Sequence, residues 1–123
     1  MTRPVFSEFT LSSAQSVAYT NGTVTVNNSI EYTGPLYAIA ITIHLPENVM
    51  YISSKTTSQP VIQPQRGDIG LLEFVWITPP ESPFDLSYSV KSVVSSGVIQ
   101  AKVLYRRMNE ELHYDLPNVQ LRL

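Results

Sequence analysis

Two histidines, His44 and His113, are the natural candidates for a general base in this chain. With no cysteine present, their nucleophile would have to be a serine or threonine. His44 falls on the minor face of a strongly apolar segment, just ahead of Pro46, and His113 sits among Glu110, Glu111, Tyr114 and Asp115. No Gly-x-Ser-x-Gly elbow is present, and both histidines read as surface residues. Glu110-Glu111 is the only adjacent carboxylate pair. Neighbours on a strand point to opposite faces, so these two do not share a substrate in the way a glycosidase pair does, about 5–10 Å apart across a cleft. For metals there is no thiolate, no Asp-x-Asp-x-Asp-Gly loop and no His-x-x-x-His pair. Asp68, beside Gly67 and Gly70, is the best calcium candidate and reads as a turn aspartate. The expectation is a non-enzyme with no catalytic, cofactor-binding or metal-ligating residue.

Aromatic side chains are the stronger chemical signal, with seven Tyr, four Phe and one Trp. A sugar-binding surface needs exposed rings in a row, because sugar faces stack on them. Tyr32, Tyr37, Tyr51, Trp76, Tyr88 and Tyr105 fall on inward-facing positions or at strand ends, which leaves Tyr19 and Tyr114 as the exposed candidates. Asn21-Gly22-Thr23 and Asn27-Asn28-Ser29 match the short glycosylation acceptor pattern. Lys102, Arg106, Arg107 and Arg122 offer at most a small basic spot.

The elements that position these residues have a period of two. Val24, Val26, Ile30 and Tyr32 share one face of Thr23–Tyr32. Tyr37, Ile39, Ile41, Ile43 and Leu45 share one face of Tyr37–Leu45. Phe84, Leu86, Tyr88 and Val90 alternate with Asp85, Ser87 and Ser89, and Ile99, Ala101, Val103 and Tyr105 do the same across Val98–Arg106. Further strands are expected near Val5–Leu11, Val49–Ser53, Leu71–Ile77 and Leu112–Leu123. Turns fall at Asn21-Gly22, Thr33-Gly34-Pro35, Arg66-Gly67-Asp68, Pro79–Pro83 and Ser95-Ser96-Gly97, and Met108–Glu111 reads as a hairpin tip. About eight short strands at this spacing predict an all-β antiparallel sandwich of two sheets, with a closed barrel as the alternative. The predicted core is Ile39, Ile41, Ile43, Leu72, Phe74, Trp76, Leu86, Tyr88, Val90, Ile99, Ala101 and Val103.

At 123 residues the chain reads as one domain, 1–123, large enough to bury a core without staples. Charged residues are 15%, against an average of about 25%, and the net charge is −2. No basic field exists to attract phosphates, which argues against nucleic acid as a partner. No run approaches the roughly 18 apolar residues of a membrane span. Met1–Glu8 lacks an apolar signal core, since Ser7 and Glu8 interrupt it. The expectation is a domain cut from a larger exported protein, whose signal lies outside this segment.

The order of these blocks resembles an immunoglobulin-like family of repeats in large bacterial and archaeal exported proteins. These are the conserved-repeat surface domains often called DUF11, similar in outline to cohesin-type sandwiches. Leu45-Pro46, Val49, Tyr51 and Ser53 resemble that family's corner. Leu72–Trp76 resembles its tryptophan strand, and Leu86-Ser87-Tyr88-Ser89-Val90 its following strand, with Gly97 ahead of a strand ending in Tyr105-Arg106. Asn48 replaces the family's glycine, and Asn tolerates a left-handed backbone. Glu110–Tyr114 departs from the family's Asn- and Gly-rich ending. The resemblance implies a Greek-key sandwich with a non-catalytic, extracellular or cell-surface role as spacer or adhesion module. Its partners would be neighbouring domains of the same polypeptide; a carbohydrate- or protein-binding (cohesin-like) role is the alternative.

Overall fold

Alternating apolar residues need a surface to bury against, and here two sheets supply it to each other. The computed structural model describes residues 9–92 and 96–121. Its strands are β1 (Thr10–Thr20), β2 (Thr23–Thr33), β3 (Ala38–His44), β4 (Val49–Thr56), β5 (Leu71–Trp76), β6 (Phe84–Ser92), β7 (Val98–Arg107), β8 (Glu110–Asp115) and β9 (Val119–Gln120). One sheet has the order β1-β2-β6-β4. The other has the order β5-β3-β7-β8, with β9 also paired to β7, and every pairing is antiparallel. The first order is that of strands A-B-E-D of an immunoglobulin-like sandwich, and β3-β7-β8 is that of C-F-G, with β5 added outside β3. No strand pairs from one sheet to the other among the described residues, so the closed barrel is set aside.

The core is the predicted one, extended. Val24, Val26 and Ile30 of β2 and Phe84, Leu86, Tyr88 and Val90 of β6 are buried. They face Ile39, Ile41 and Ile43 of β3, Leu72, Phe74 and Trp76 of β5, and Ile99, Ala101 and Val103 of β7. Across the layers the Trp76 ring meets Phe84 edge-on, with centroids 5.6 Å apart. One polar side chain shares the inner face of β2: Asn28 is buried, and its Oδ1 accepts from Gln15 Nε2 at 2.9 Å. That bond removes most of the cost of burying an amide.

The turns follow backbone chemistry. Asn21 (φ 47°) and Gly22 (φ 82°) are both left-handed, as a two-residue hairpin between β1 and β2 requires. Asn48 (φ 66°) keeps the Leu45–Ser53 corner in the left-handed region, as expected, and the Leu45 N–H ties that corner to the Gly70 carbonyl at 2.7 Å. The turn between β7 and β8 is Met108-Asn109, so Glu110 and Glu111 belong to the strand rather than to the hairpin tip.

Three expectations are corrected. The first strand was expected over Val5–Leu11. Val5–Glu8 lie outside the described residues, and the strand that exists, β1, runs to Thr20. Its alternation is weak because none of its inner-face side chains, Leu11, Ser13, Gln15, Val17 and Tyr19, is fully buried. Leu112–Leu123 is not one strand: Pro117 lacks the N–H that a continuous ladder needs and separates β8 from β9, while Arg122 and Leu123 lie outside the described residues. Tyr37 does not share the inward face of β3. It precedes the strand and is 57% exposed, and Leu36 packs against the core in its place. Of the turn expected at Ser95-Ser96-Gly97, Ser95 lies outside the described residues and Gly97 has φ 132°.

Candidate functional site

The outer face of the β5-β3-β7-β8 sheet carries the side chains that the core leaves over. Register sorts them into rows. Val75, Ala40, Leu104 and His113 lie side by side on consecutive strands. Glu73, Thr42, Lys102 and Asp115 form the next row, and Ala38, Arg106 and Glu111 the row on the other side. Arg106 and Glu111 are joined by an ion pair between guanidinium and carboxylate. Ala38 and Ala40 are small, so the middle of this face is a shallow trough. It is lined by Ala38, Ala40, Val75 and Leu104, with the Arg106–Glu111 pair and His113 along one wall. Leu104 is 40% exposed, and Ile62 and Ile77 stand exposed beyond the sheet. The arrangement is an apolar strip bounded by fixed charges of both signs.

The two histidines are not brought together. His44 and His113 are both exposed on this same face. His44 stands opposite Leu71 and Gln100, four residues along β3 from Ala40 and thus about 13 Å from the row that holds His113. β8 carries neither serine nor threonine, and β3 carries Thr42, two residues from His44 on the same face. Glu110 and Glu111 alternate on β8, and the Glu111 carboxylate is held by Arg106. Asp68 is occupied as a turn residue, its Oδ2 accepting from Gln65 N at 2.9 Å. Among the described residues no group of three His, Asp or Glu side chains is placed to hold a metal ion.

The aromatic residues are spent mainly inside. Tyr51, Trp76 and Tyr88 are buried. Phe9 stacks on Tyr32 at 6.3 Å and on Tyr105 at 5.1 Å, and the Arg107 guanidinium covers the Phe9 ring at 4.5 Å. Burial, and then the nearby Glu81 charge, push the Tyr32 phenol above its ordinary value, and its hydroxyl donates to the Pro80 carbonyl. Tyr114, expected to be exposed, is half-buried with its hydroxyl on Ser13 Oγ at 3.3 Å. Tyr19 is 41% exposed, as expected, and its hydroxyl donates to the Gln120 carbonyl. Tyr37, at the start of β3, and Tyr19, beside Gln120 at the start of β7, stand at opposite ends of the sandwich. Among the described residues these two exposed tyrosines do not form a row of rings.

The basic residues also separate. Arg106 pairs with Glu111, Lys102 lies between Thr42 and Asp115, Arg107 packs on Phe9, and Arg122 lies outside the described residues. Asn21 is exposed at a hairpin tip, whereas Asn27 sits mid-strand, bonded to Ser16 and Ser87. Among the described residues no helix is long and apolar enough to cross a membrane. No protein-family model matches the chain, and no curated protein matches it. The apolar strip escaped the sequence reading because Ala40, Val75 and Leu104 are far apart in the chain and meet only through strand register. The one available signal was that Ala38, Ala40 and Leu104 sit on faces that period two assigns to solvent.

Proposed function

We propose that this domain is a non-catalytic module that spaces, stiffens or presents neighbouring domains of an extracellular or cell-surface polypeptide, akin to the conserved-repeat surface domains it resembles. The observation that carries this reading is that the start of the first strand and the end of the last lie at opposite poles of the described residues. Tyr19, at the end of β1, bonds to Gln120, and Gln15 Nε2 donates to the Pro117 carbonyl, so the β8–β9 segment runs alongside β1 in the same direction. Thr10 therefore lies at one pole and Gln120 at the other, separated by the ten-residue rise of β1, about 33 Å. Each folded copy then adds a rigid increment of length between whatever precedes and follows it.

Tension applied at Thr10 and Gln120 loads β1 along its own axis. Its hydrogen bonds to β2 bear that load together instead of opening one by one. Single-molecule pulling through these two ends is expected to give a higher unfolding force than pulling through Asn21 and Gln120, which share a pole. Equal forces in the two geometries would remove the mechanical basis of the proposal. Labelling of the tagged parent polypeptide on intact cells tests the location, and labelling only after lysis would overturn it.

A protein-docking role is the second reading, supported by the apolar strip of Val75, Ala40 and Leu104. A photo-crosslinking residue in place of Leu104 is expected to give a discrete protein adduct in the source cells. The same residue in place of Ser89, on the outer face of the other sheet, is expected to give none. Identical adduct patterns from the two positions would discard this reading.

A further inference from the structure

The free edge of β1 differs from every other long edge of the sandwich. β4 is closed by a loop, with Tyr51 N–H donating to the Asp68 carbonyl and Gly67 N–H donating to the Tyr51 carbonyl, both at 2.9 Å; it also has a register shift between Tyr51 and Ser53. β5 is closed by the bridge between Ile62 and Val75. β8 is short and carries Glu110, Glu111 and Asp115. These are the devices by which sheets prevent edge-to-edge pairing. β1 has no such charge, bulge or backbone bridge: the Tyr114–Gln120 stretch beside it is held by the side chains of Ser13, Gln15 and Tyr19, not by the backbone groups of its edge. Its 11 residues, Thr-Leu-Ser-Ser-Ala-Gln-Ser-Val-Ala-Tyr-Thr, include no charge and no proline, and its register with β2 is unbroken from Thr10 to Thr20.

Hairpin geometry fixes which backbone groups that edge presents. The two-residue turn at Asn21-Gly22 makes Thr20 and Thr23 a hydrogen-bonded pair, and bonded pairs recur at Ala18, Ser16, Ala14 and Ser12. The N–H and C=O groups of Leu11, Ser13, Gln15, Val17 and Tyr19 therefore point off the sheet. None of them has a backbone partner among the described residues.

We propose that β1 pairs with β1 of a second copy of this chain, antiparallel about a two-fold axis, joining two four-stranded sheets into one. A copy of itself fits the edge in length and in the small outer side chains Ser12, Ala14, Ser16 and Ala18. Because β1 is uncharged, self-pairing opposes no like charges, whereas β8 against β8 would bring carboxylates together. A two-fold axis at Gln15 sets Leu11 opposite Tyr19 and Ser13 opposite Val17, so every outward-pointing backbone group finds a partner. The same register places Ala14 opposite Ser16 of the other copy. An isologous contact of this kind closes on itself and does not polymerise. The proposal does not depend on the spacer reading.

Sedimentation equilibrium of the full chain across the micromolar range is expected to show a reversible monomer–dimer equilibrium. Ala14→Lys combined with Ser16→Lys sets lysine against lysine across the axis and is expected to abolish the dimer. Ala14→Lys combined with Ser16→Glu sets lysine against glutamate and is expected to restore it. Both positions are exposed on the outer face, so the variants keep the fold, which their thermal unfolding verifies. A wild-type chain that stays monomeric throughout overturns the proposal. So does a dimer that survives the double lysine, or one that the charge-paired variant fails to restore.

Discussion

Replacing Trp76 by alanine is expected to lower the stability of the domain by about 3–5 kcal/mol, the usual cost of truncating a fully buried large aromatic. The ring is 1% exposed and lies at the contact between the two sheets. It stacks beside Phe74 at 6.4 Å on its own strand and meets Phe84 of the facing sheet edge-on at 5.6 Å. Its Nε1–H donates to the Ser58 carbonyl at 2.8 Å, which holds the loop after β4 against the end of the core. Alanine removes all three contacts at once: it opens a cavity that β3 and β6 cannot collapse into and leaves the Ser58 carbonyl without its donor. With a urea dependence of roughly 2 kcal/mol per molar, the unfolding midpoint should fall by about 2 M. Trp76→Phe keeps one six-membered ring but loses the pyrrole half of the indole together with the hydrogen bond, so its expected loss lies below that of alanine, at about 1–3 kcal/mol. A midpoint for Trp76→Ala within error of the parent would mean that the indole is not part of the core.

The reason Trp76 was legible as a core residue is also the reason other features were not. β2, β3, β5, β6 and β7 each bury most of one face, and apart from Asn28 in β2 and Ser92 at the end of β6 the buried positions are apolar and two residues apart, so the strands announce themselves. β1 buries its inner face only by half, and Leu11, Ser13, Gln15, Val17 and Tyr19 give too weak an alternation to mark a strand. Tyr37 shows the limit of extending a pattern past a strand end. The chain turns at Gly34-Pro35, Leu36 takes the inward place, and the period-two assignment of Tyr37 fails by one residue. The apolar strip over Val75, Ala40 and Leu104 and the loop that closes the β4 edge depend on which strands lie side by side. Local spacing carries no information about that. Of the site candidates, Asp68 as a turn residue and the two histidines as surface residues followed from their immediate neighbours. Tyr114 did not, because the partner of its hydroxyl, Ser13, lies in the strand the sequence concealed.

Tyr88 gives the second large effect, through pH. Its ring lies on the inner face of β6 between Leu86 and Val90 and is 1% exposed. Burial pushes the phenol well above its ordinary value of 10, with no charged neighbour contributing. The folded state therefore binds this proton more tightly than the unfolded chain does. Stability from the neutral phenol is complete below about pH 10, where both states are protonated. It is lost as the pH rises from there toward the folded pKa, because the unfolded chain ionises first. The slope is about 1.4 kcal/mol for each pH unit in that window. The Tyr32 phenol, raised by burial and by Glu81, adds in the same direction. Urea unfolding measured between pH 9 and pH 12 should therefore show a steep alkaline decline in the parent and a shallower one in Tyr88→Phe, which has no proton to release. Effects of high pH that do not involve this hydroxyl are common to both chains and cancel in the comparison. Superimposable declines would show that the Tyr88 hydroxyl ionises in the folded state as readily as in the unfolded one. The ring would then reach water, and the inward face of β6 would end before Tyr88.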